Sequence, residues 1–355
     1  MTRRSQTGGD FAARVVAWQH QHGRHALPWQ NTRDPYRIWV SEIMLQQTQV
    51  STVIPYYERF MARFPTVAAL GDAELDDVLA HWAGLGYYSR GRNLHRAAIV
   101  VRDERGGCFP RTIEEVEALP GIGRSTAAAI VVFAYGSRHA ILDGNVKRLL
   151  ARHRGIQGYA GESAVARELW RAASDVLPFV EVEAYTQGLM DLGATVCSRH
   201  KPRCEACPVA ADCIARRKRL TEVIPAPRPR KALPHRHTVM LVLARGGEVL
   251  LEKRPAPGIW GGLWSFPEAA MDDDHASLCA QRYGAAVGAV EQLPRVEHGF
   301  THYKLTIAPR RLEVQALETR AAEGDTQWLA LSDVKQAAIP APVRTIVEQL
   351  EKREQ

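Results

Sequence analysis

The sequence predicts a multidomain protein in which an all-α domain is followed by an α+β domain. A chain of 355 residues has the length of about two domains. The stretch EVIPAPRPRKALP, from 222 to 234, contains four prolines and has no helical periodicity, as in a semi-extended linker. Helix signals precede this stretch and strand signals follow it. We therefore assign residues 1–221 to the first domain, 222–236 to the linker and 237–355 to the second domain.

Helix-capping signals mark the first domain. Asp34 followed by Pro35 predicts an N-cap with proline at the first helical position. Thr112 and Glu115 have the spacing of a capping box before an apolar run. Residues 1–10 are polar and lack the apolar core of a targeting signal, so we expect a disordered tail there. No apolar run approaches the ~20 residues that cross a membrane, and we expect no membrane contact.

Strand signals mark the second domain. Residues 238–244 (TVMLVLA) and 249–252 predict two strands on either side of the turn Arg245-Gly246-Gly247. Residues 303–307 predict a further strand. The change from helical to strand patterning supports the division of the chain at the linker.

Four cysteines form the most specific motif of the chain. Cys197, Cys204, Cys207 and Cys213 are spaced C-x6-C-x2-C-x5-C. No secretory signal is evident, so we expect a reducing, cytoplasmic compartment, where clustered cysteines are metal ligands rather than disulfides. Zinc and a 4Fe–4S cluster both accept four thiolates. Zinc modules more often have two C-x2-C pairs and this motif has one, which favours the cluster and leaves zinc open.

The charge of the chain favours a polyanionic partner. The net charge is +7 and the isoelectric point is about 9.2. Basic residues lie between the first two cysteines of the motif and again after the last, at 199–203 and 216–219. A surface of this kind suits a phosphate backbone, with a solvated charged surface as the alternative.

Two glycine-containing motifs lie in the first domain. The stretch LPGIGRSTA (119–127) places Gly121 and Gly123 between two predicted helices, and its backbone N–H groups can bind a DNA phosphate. An ordinary turn between helices is the alternative. Asp143 lies on a glycine turn after the apolar residues 140–142, so its carboxylate is expected to be half-buried.

These motifs together resemble the endonuclease III superfamily of DNA glycosylases, and within it the MutY family of adenine DNA glycosylases. The matching stretches are LPWQ (27–30), SEIMLQQTQV (41–50), GLGYYSRGRNLH (84–95), LPGIGRSTA (119–127), ILDGNVKR (141–148) and MDLGATVC (190–197). The resemblance is dense over the first 220 residues and thinner beyond them. It implies a helix-hairpin-helix glycosylase core with an iron–sulfur module at about 190–219, and it favours one 4Fe–4S cluster over zinc.

The resemblance also assigns catalytic roles. Glu42 shares a helix face with Ile38 and Leu45, a setting that favours the neutral acid. It resembles the family's acid for adenine, and Asp143 resembles the carboxylate that stabilises or captures the sugar cation. Asn145 and Ser125 match positions that support this centre. Bifunctional relatives have lysine where this chain has Ser125, which implies a glycosylase without lyase activity.

Other positions match the family's contacts to DNA and to the bases. The resemblance implies DNA or base binding by residues of both domains: Arg24, Trp29, Gln47, Thr48, Tyr87, Gly121, Gly123, Gln187, Phe300, Thr301 and His302. Among them, Gln47 and Tyr87 match residues that wedge into the base stack, which base flipping requires. A core-edge glutamine and a packed aromatic are the structural alternatives for these two.

The second domain resembles Nudix folds of the MutT type. The stretch WGGLWSFPE (260–268) is similar to the opening of such a domain. No glutamate-rich REXXEE helix follows, so the domain is expected to bind rather than to hydrolyse. Phe300-Thr301-His302 matches the family's Phe-Ser-His loop, with a methyl group added by threonine. The resemblance implies that this loop reads 8-oxoguanine opposite adenine.

The expected function is therefore monofunctional removal of adenine mispaired with 8-oxoguanine or guanine in double-stranded DNA. We expect a monomer of the bacterial, nucleoid-associated type. One alternative is a bifunctional glycosylase/lyase of the endonuclease III type, which Ser125 and the extra domain disfavour. Others are a catalytically inactive, cluster-bearing DNA-binding protein, which Glu42 and Asp143 disfavour, and a Nudix hydrolase.

Overall fold

The computed structural model describes residues 3–229, 232–255, 258–318 and 325–354, with side chains from residue 10 to residue 353. Packing divides the chain into two units. One comprises Met1–Asp72 and Asn93–Arg230, and the other comprises Ala73–Arg92 and Lys231–Gln355. The break at Arg230 falls within the predicted linker. The sequence, however, assigned residues 73–92 to the first domain, whereas their packing groups them with the second.

The first unit is built from helices. Its α-helices are Arg3–His22, Pro35–Leu45, Val50–Arg63, Val67–Gly71, Ser89–Glu104 (which begins in the second unit), Ile113–Glu117, Arg124–Tyr135, Gly144–Arg154, Ser163–Asp175, Val182–Asp191 and Ile214–Arg217. A π-helical turn, Leu192–Val196, and a 3-10 turn, Cys204–Ala206, complete the unit. The first helix begins at Arg3, so the expected disordered tail is wrong for the described residues of that segment.

The predicted caps are confirmed. The Asp34 side chain accepts a hydrogen bond from the backbone N–H of Tyr36 at 2.9 Å, and Pro35 occupies the first turn. Thr112 and Glu115 form both hydrogen bonds of a capping box. Such caps satisfy backbone donors that a helix leaves unpaired at its start. They fix where each helix begins and therefore which residues face the core.

The start of the predicted linker packs against the first unit. Ile224 is 2% exposed and lies in the core cluster of the helices. Its carbonyl accepts a hydrogen bond from Arg152 Nε at 2.9 Å, and the Ala226 N–H donates to the Gly158 carbonyl at 3.0 Å. The proline-rich composition predicted an extended backbone but gave no sign of this packing.

In the residues that the structure describes, the second unit contains one sheet of eight strands. The strands are His235–Arg245, Glu248–Lys253, Trp264–Ser265, Glu268–Ala269, Ala285–Gln292, Val296–Gly299, Lys304–Leu317 and Thr326–Ala330. The first strand pairs in parallel with Lys304–Leu317, from His235 opposite Lys304 to Ala244 opposite Glu313. The other pairings are antiparallel. All three predicted strands are confirmed.

Helices cover both faces of this sheet. Along the first strand, Met240 and Val242 belong to one apolar cluster, and Leu241 and Leu243 to the other, as the alternation of side chains in a strand requires. The helix Ala341–Glu354 packs in the first cluster and the helix His275–Tyr283 in the second, and the unit is completed by the helix Leu75–Trp82 and the 3-10 turn Val334–Gln336. The α+β prediction for this part of the chain is therefore confirmed.

Candidate active site and cysteine cluster

Glu42 lies on the helix Pro35–Leu45, among side chains that face the core. Ile38, one turn earlier, and Ile43 are each 3% exposed. Burial raises the pKa of Glu42 to about 8, and the negative charge of Asp143 adds to the shift. At neutral pH the Glu42 carboxyl group is therefore mostly protonated, and it can donate a proton.

Asp143 is the N-cap of the helix Gly144–Arg154. Its Oδ1 accepts a hydrogen bond from the Val146 N–H at 2.7 Å. Burial raises the pKa of Asp143, while the backbone N–H groups of Val146 and Asn145 act in the opposite direction. Because backbone donors stabilise the charged form, Asp143 is better placed than Glu42 to carry the negative charge of the pair.

Ser125 and Asn145 brace the loop that carries Asp143. The Ser125 hydroxyl oxygen accepts a hydrogen bond from the Leu142 N–H at 2.9 Å, directly before Asp143. The Asn145 Oδ1 accepts one from Arg148 at 2.9 Å. The structure thus brings all four predicted catalytic residues to the region of Asp143 and Glu42.

The predicted hairpin is present between the helices Ile113–Glu117 and Arg124–Tyr135. Gly121 has a φ of 81°, and a Cβ atom there would lie 2.6 Å from the Asn93 Cβ, so glycine is required. Gly123 is the N-cap of the second helix, and among the described residues, apart from its two chain neighbours, no heavy atom comes within 4 Å of the place where its Cβ would be. That open side leaves the backbone N–H groups of the helix start accessible to a ligand.

A cleft of about 500 Å³ brings several predicted residues together. Its walls include Glu42, Arg24, Trp29 and Gln187, which the sequence singled out separately. Trp29 is 8% exposed and packs edge-on against Tyr57, with ring centroids 5.3 Å apart. The proton-bearing Glu42 therefore faces a space bounded by an aromatic ring, an amide and a guanidinium group.

Asp191 organises this cleft, and the sequence analysis missed it. Its side chain is buried and accepts hydrogen bonds from the Arg24 N–H and Nε at 2.8 and 2.7 Å. Gln187 Nε2 donates to the same carboxylate at 2.9 Å. The spacing of four residues between Gln187 and Asp191 on one predicted helix was the available signal.

Two predicted DNA contacts have left-handed backbone conformations. Gln47 has a φ of 57° and is exposed, just after the helix of Glu42, and Thr48 follows it, with its hydroxyl donating to the Gln46 carbonyl at 3.4 Å. Tyr87, in the second unit, has a φ of 49° and is 44% exposed. Non-glycine residues adopt such conformations at a cost, and they concentrate at functional sites.

The predicted Phe300-Thr301-His302 loop is a turn between the strands Val296–Gly299 and Lys304–Leu317. The Phe300 N–H donates to the Tyr303 carbonyl at 2.9 Å and closes the turn. The Phe300 ring is half-buried between Trp260 and Tyr303, with centroid distances of 5.4 and 4.6 Å. Thr301 and His302 are exposed.

The four cysteines of the motif line one cavity. Cys197, Cys204, Cys207 and Cys213 surround it together with apolar side chains and Arg152, and none of the four forms a disulfide. Within the described residues, no three His, Cys, Asp or Glu side chains lie close enough together to hold a metal ion. The thiols therefore surround a space rather than converge on one point.

Arg152 is a buried cation beside this cavity that the sequence analysis also missed. It is 3% exposed, and its NH1 lies 3.4 Å from the Cys197 sulfur. It also donates to the carbonyls of Ser198 and Arg199, at 2.7 and 3.0 Å. It thus ties the helix Gly144–Arg154, which Asp143 begins, to the loop of cysteines. The basic residues predicted around the motif, 199–201, 203 and 216–219, are exposed.

Comparison with known proteins accounts for both units. Residues 40–174 match the model of the HhH-GPD superfamily base excision DNA repair protein, and residues 238–349 match the NUDIX domain. The adenine DNA glycosylase of Buchnera aphidicola (Acyrthosiphon pisum) is 34% identical over 96% of this chain and 98% of its own length. The human adenine DNA glycosylase is 34% identical over 95% of this chain and 73% of its own.

The chain belongs to the adenine DNA glycosylase family. It is a DNA N-glycosylase of base excision repair, as the resemblance predicted, and DNA is its partner. None of its described helices is both long and apolar enough to span a membrane.

Solved structures agree with the fold of the glycosylase core. A thermostable thymine-DNA glycosylase superimposes with a TM-score of 0.53 and 27% identity, over 61% of this chain and 98% of its own. Endonuclease III in a non-covalent DNA complex superimposes with a TM-score of 0.52 over 62% of this chain and 99% of its own; at 21% identity it shows the fold alone. The predicted combination of a helical glycosylase core and a Nudix domain is confirmed.

Proposed function

We propose that this glycosylase removes adenine paired with 8-oxoguanine or guanine, using Glu42 as the acid and Asp143 as the stabilising carboxylate. The observation that carries the proposal is the electrostatic coupling of these two half-buried carboxyl groups. Glu42, whose pKa is raised to about 8, lines a cleft, and the charge of Asp143 contributes to that shift. Two carboxyl groups held in different protonation states are what cleavage of a glycosidic bond requires.

In this mechanism Glu42 donates its proton to the departing adenine. Loss of the neutral base leaves positive charge on the sugar, and Asp143 stabilises or captures that cation. Water then adds at the sugar carbon, releasing Asp143 if it was bound, and the proton lost by the water restores the Glu42 acid, which leaves the abasic site. The backbone N–H groups of Val146 and Asn145 favour the charged form of Asp143 and oppose the rise in its pKa that burial causes. Ser125 and Asn145 keep the loop in place. A positioned acid accelerates such reactions by ~10² to 10⁴, and the carboxylate supplies electrostatic stabilisation of the cation.

The same cleft supplies groups for binding adenine. Trp29 offers an aromatic face and Gln187 an amide, each suited to a flipped base. Asp191 fixes Arg24 and Gln187 in position through short hydrogen bonds. Preorganised polar groups of this kind orient a ligand without further ordering on binding.

Cleavage stops at the abasic site in this proposal. A lyase reaction requires an amine that attacks the sugar, and the hairpin position used by bifunctional relatives holds Ser125. Its hydroxyl oxygen accepts a hydrogen bond from the Leu142 N–H. The bifunctional alternative therefore has no nucleophile at this position.

The cysteine cavity supports one 4Fe–4S cluster held by Cys197, Cys204, Cys207 and Cys213. Four thiols without disulfides around a shared cavity fit the ligand set of such a cluster. When bound, the cluster would crosslink the loop of cysteines. The buried Arg152 would offset the negative charge of the thiolates, and the loop would present its exposed basic residues to phosphate.

Recognition of the partner base is assigned to the turn Phe300-Thr301-His302. The support is its exposure: Thr301 and His302 project from a turn that Phe300 anchors by ring packing. Gln47, Thr48 and Tyr87 are proposed to contact the base stack during flipping. Gly121 and Gly123 would bind a phosphate at the hairpin. We propose that the active form is a monomer.

A product assay tests the proposal. The substrate is a labelled duplex with one adenine opposite 8-oxoguanine or opposite guanine, analysed with and without alkali. The expected result is release of adenine from both duplexes and strand breakage only after alkali. Strand breakage without alkali would establish the lyase alternative, and binding without adenine release would establish an inactive DNA-binding protein.

Asp143→Asn is the matched variant for the catalytic pair. Asparagine caps helices as well as aspartate does, so the fold is expected to persist. A neutral amide cannot stabilise the sugar cation, so adenine release should be abolished. Asp34→Asn, at an aspartate N-cap of another helix of the core, is the control and should remain active. Full activity in Asp143→Asn would remove this residue from the mechanism.

A further inference from the structure

The helix Leu75–Trp82 is built into the core of the second unit, although the family model for the glycosylase core spans it. Leu79 is fully buried in the apolar cluster that also contains Leu251 and Val343. A Cβ atom on Gly262 would lie 3.4 Å from the Leu79 Cδ1, so this helix and the glycine turn of the Nudix domain pack closely. The helix is thus a structural part of the Nudix domain.

Polar contacts join both ends of the segment Ala73–Arg92, which contains this helix, to the rest of the Nudix domain. At one end, Asp76 Oδ1 pairs with Lys253 Nζ at 2.7 Å, and Asp76 Oδ2 accepts a hydrogen bond from Trp264 Nε1 at 3.2 Å. At the other end, Arg92 NH1 donates to the Gly261 carbonyl at 2.6 Å. Trp264 is 7% exposed and the Asp76 side chain 37% exposed, so the hydrogen bond between them is partly sheltered from water.

Tyr87 lies on the short loop between these two anchors. The loop backbone is left-handed at Gly84, Gly86 and Tyr87, with φ values of 101°, 72° and 49°. Arg90 NH2 donates to the Gly86 carbonyl at 3.1 Å, and its guanidinium lies 5.4 Å from the centroid of the Tyr87 ring. A loop in this conformation holds an exposed tyrosine only while its flanking segments are themselves fixed.

We propose that Asp76 is a positioning residue through which the Nudix domain holds the Tyr87 loop in the conformation that contacts DNA. This inference rests on the proposed function of Tyr87 in the base stack. It gives the second domain a role in base flipping that is separate from reading the partner base at Phe300-Thr301-His302. Asp76 links the loop to the Nudix domain because its two partners, Lys253 and Trp264, lie on strands of the Nudix sheet.

Hydrogen exchange tests the tether without relying on activity. The intact protein, Asp76→Ala and Trp264→Phe are compared for amide exchange in peptides covering 83–90. Loss of a hydrogen bond to a charged group should speed exchange there on the order of tenfold. Trp264→Phe removes the N–H together with part of the indole ring, whereas Asp76→Ala leaves the buried Trp264 ring in place, so faster exchange in both variants separates the tether from core packing. Glu74→Ala, an exposed carboxylate on the same segment, is the control. Equal exchange in all variants would overturn the proposal.

Single-turnover adenine release then tests the functional consequence. Asp76→Ala and Tyr87→Ala should each slow release, and the double variant should be no slower than Tyr87→Ala alone, because both act through one loop. If the effects of the two substitutions multiply in the double variant, Asp76 does not act through the Tyr87 loop, and the proposal is overturned. If Tyr87→Ala releases adenine at the full rate, the role proposed for Tyr87 fails, while exchange still decides whether Asp76 holds the loop. Absence of adenine release by the intact protein would be a failure of the proposed function instead.

Discussion

The carboxyl groups of Glu42 and Asp143 are electrostatically coupled across the core of the first unit. The charge on Asp143 contributes to the rise in the pKa of Glu42, after the larger effect of burial. The proton is therefore favoured on Glu42, while the backbone donors to Asp143 favour the charged form of that carboxyl group against the effect of burial. This division of roles makes the two groups suitable for acid-catalysed loss of a base.

The raised pKa of Glu42 predicts a stability change with pH. The folded pKa of about 8 lies above the ordinary value of 4.5, so between these values the folded state binds more protons than the unfolded state. Stability therefore falls as pH rises through this window. Glu42→Gln has no carboxyl group to ionise, so it does not lose this stability as pH rises. Its melting temperature should exceed that of wild type by roughly 3 °C or more at pH 8.

At pH 5 most of that difference should vanish, because wild-type Glu42 is protonated in the folded state and partly protonated in the unfolded state. Glu58→Gln, on the exposed face of the helix Val50–Arg63, serves as the control and should show no such trend. Calorimetry at the two pH values makes the comparison. If the melting temperatures of Glu42→Gln and wild type differ by the same amount at both pH values, the raised pKa of Glu42 is contradicted.

Asp191→Ala should both destabilise the protein and slow adenine release. Removing this buried carboxylate leaves Arg24 without its partner. The free energy of unfolding, measured in urea, should therefore fall by roughly 3 kcal/mol. Arg24 and Gln187 then lose their fixed positions, so single-turnover adenine release should slow as well. Asp212→Ala is the control, since its pair with Arg14 is more exposed. Equal effects of the two variants would show that the buried Asp191 contributes no more than an exposed ion pair does.

Cys207→Ser and Cys108→Ser should differ in iron content. Cys207 lines the cysteine cavity, whereas Cys108 is exposed and outside it. Protein purified anaerobically should show broad visible absorption and bound iron in wild type and Cys108→Ser, and lose both in Cys207→Ser. A colourless wild-type protein with one zinc per chain would show that the cavity holds zinc.

Phe300→Ala combined with His302→Ala should reduce discrimination between mispairs. Phe300 anchors the turn and His302 projects from it, so the pair is expected to sense the partner base. Single-turnover rates opposite 8-oxoguanine should fall towards those opposite guanine, with Glu42 chemistry intact. Glu313→Ala, exposed on the same sheet, is the control. Unchanged discrimination in the double variant would remove the turn from lesion recognition.

Much of the fold could be predicted because its signals are local. The caps at Asp34 and Thr112 and the strand patterning after the linker depend on neighbouring residues, and each is confirmed. The family resemblance named Glu42, Arg24, Trp29 and Gln187 as site residues, but no local pattern indicates that they meet at one cleft. Asp191 was missed because a buried aspartate has the same sequence signal as a solvated one.

The packing of helix Leu75–Trp82 could not be predicted for a related reason. Its apolar periodicity indicates that one face is buried, but not against what. Its partners, Lys253 and Trp264, lie more than 170 residues further along the chain. Contacts of such separation depend on the complete fold. They also mean that deleting the chain after the linker would expose Leu79 as well as remove the turn Phe300-Thr301-His302.

The pH dependence of adenine release tests the central claim most directly. Single-turnover rates are measured from about pH 6 to about pH 9.5 on a duplex with adenine opposite 8-oxoguanine. If Glu42 is the acid, the wild-type rate stays level at low pH and falls about tenfold per pH unit above about 8, as the carboxyl group loses its proton. Glu42→Gln should bind the duplex and release adenine at a low, pH-independent rate. A wild-type rate that stays constant through pH 9.5, or full activity in Glu42→Gln, would contradict the assignment of Glu42 as the acid.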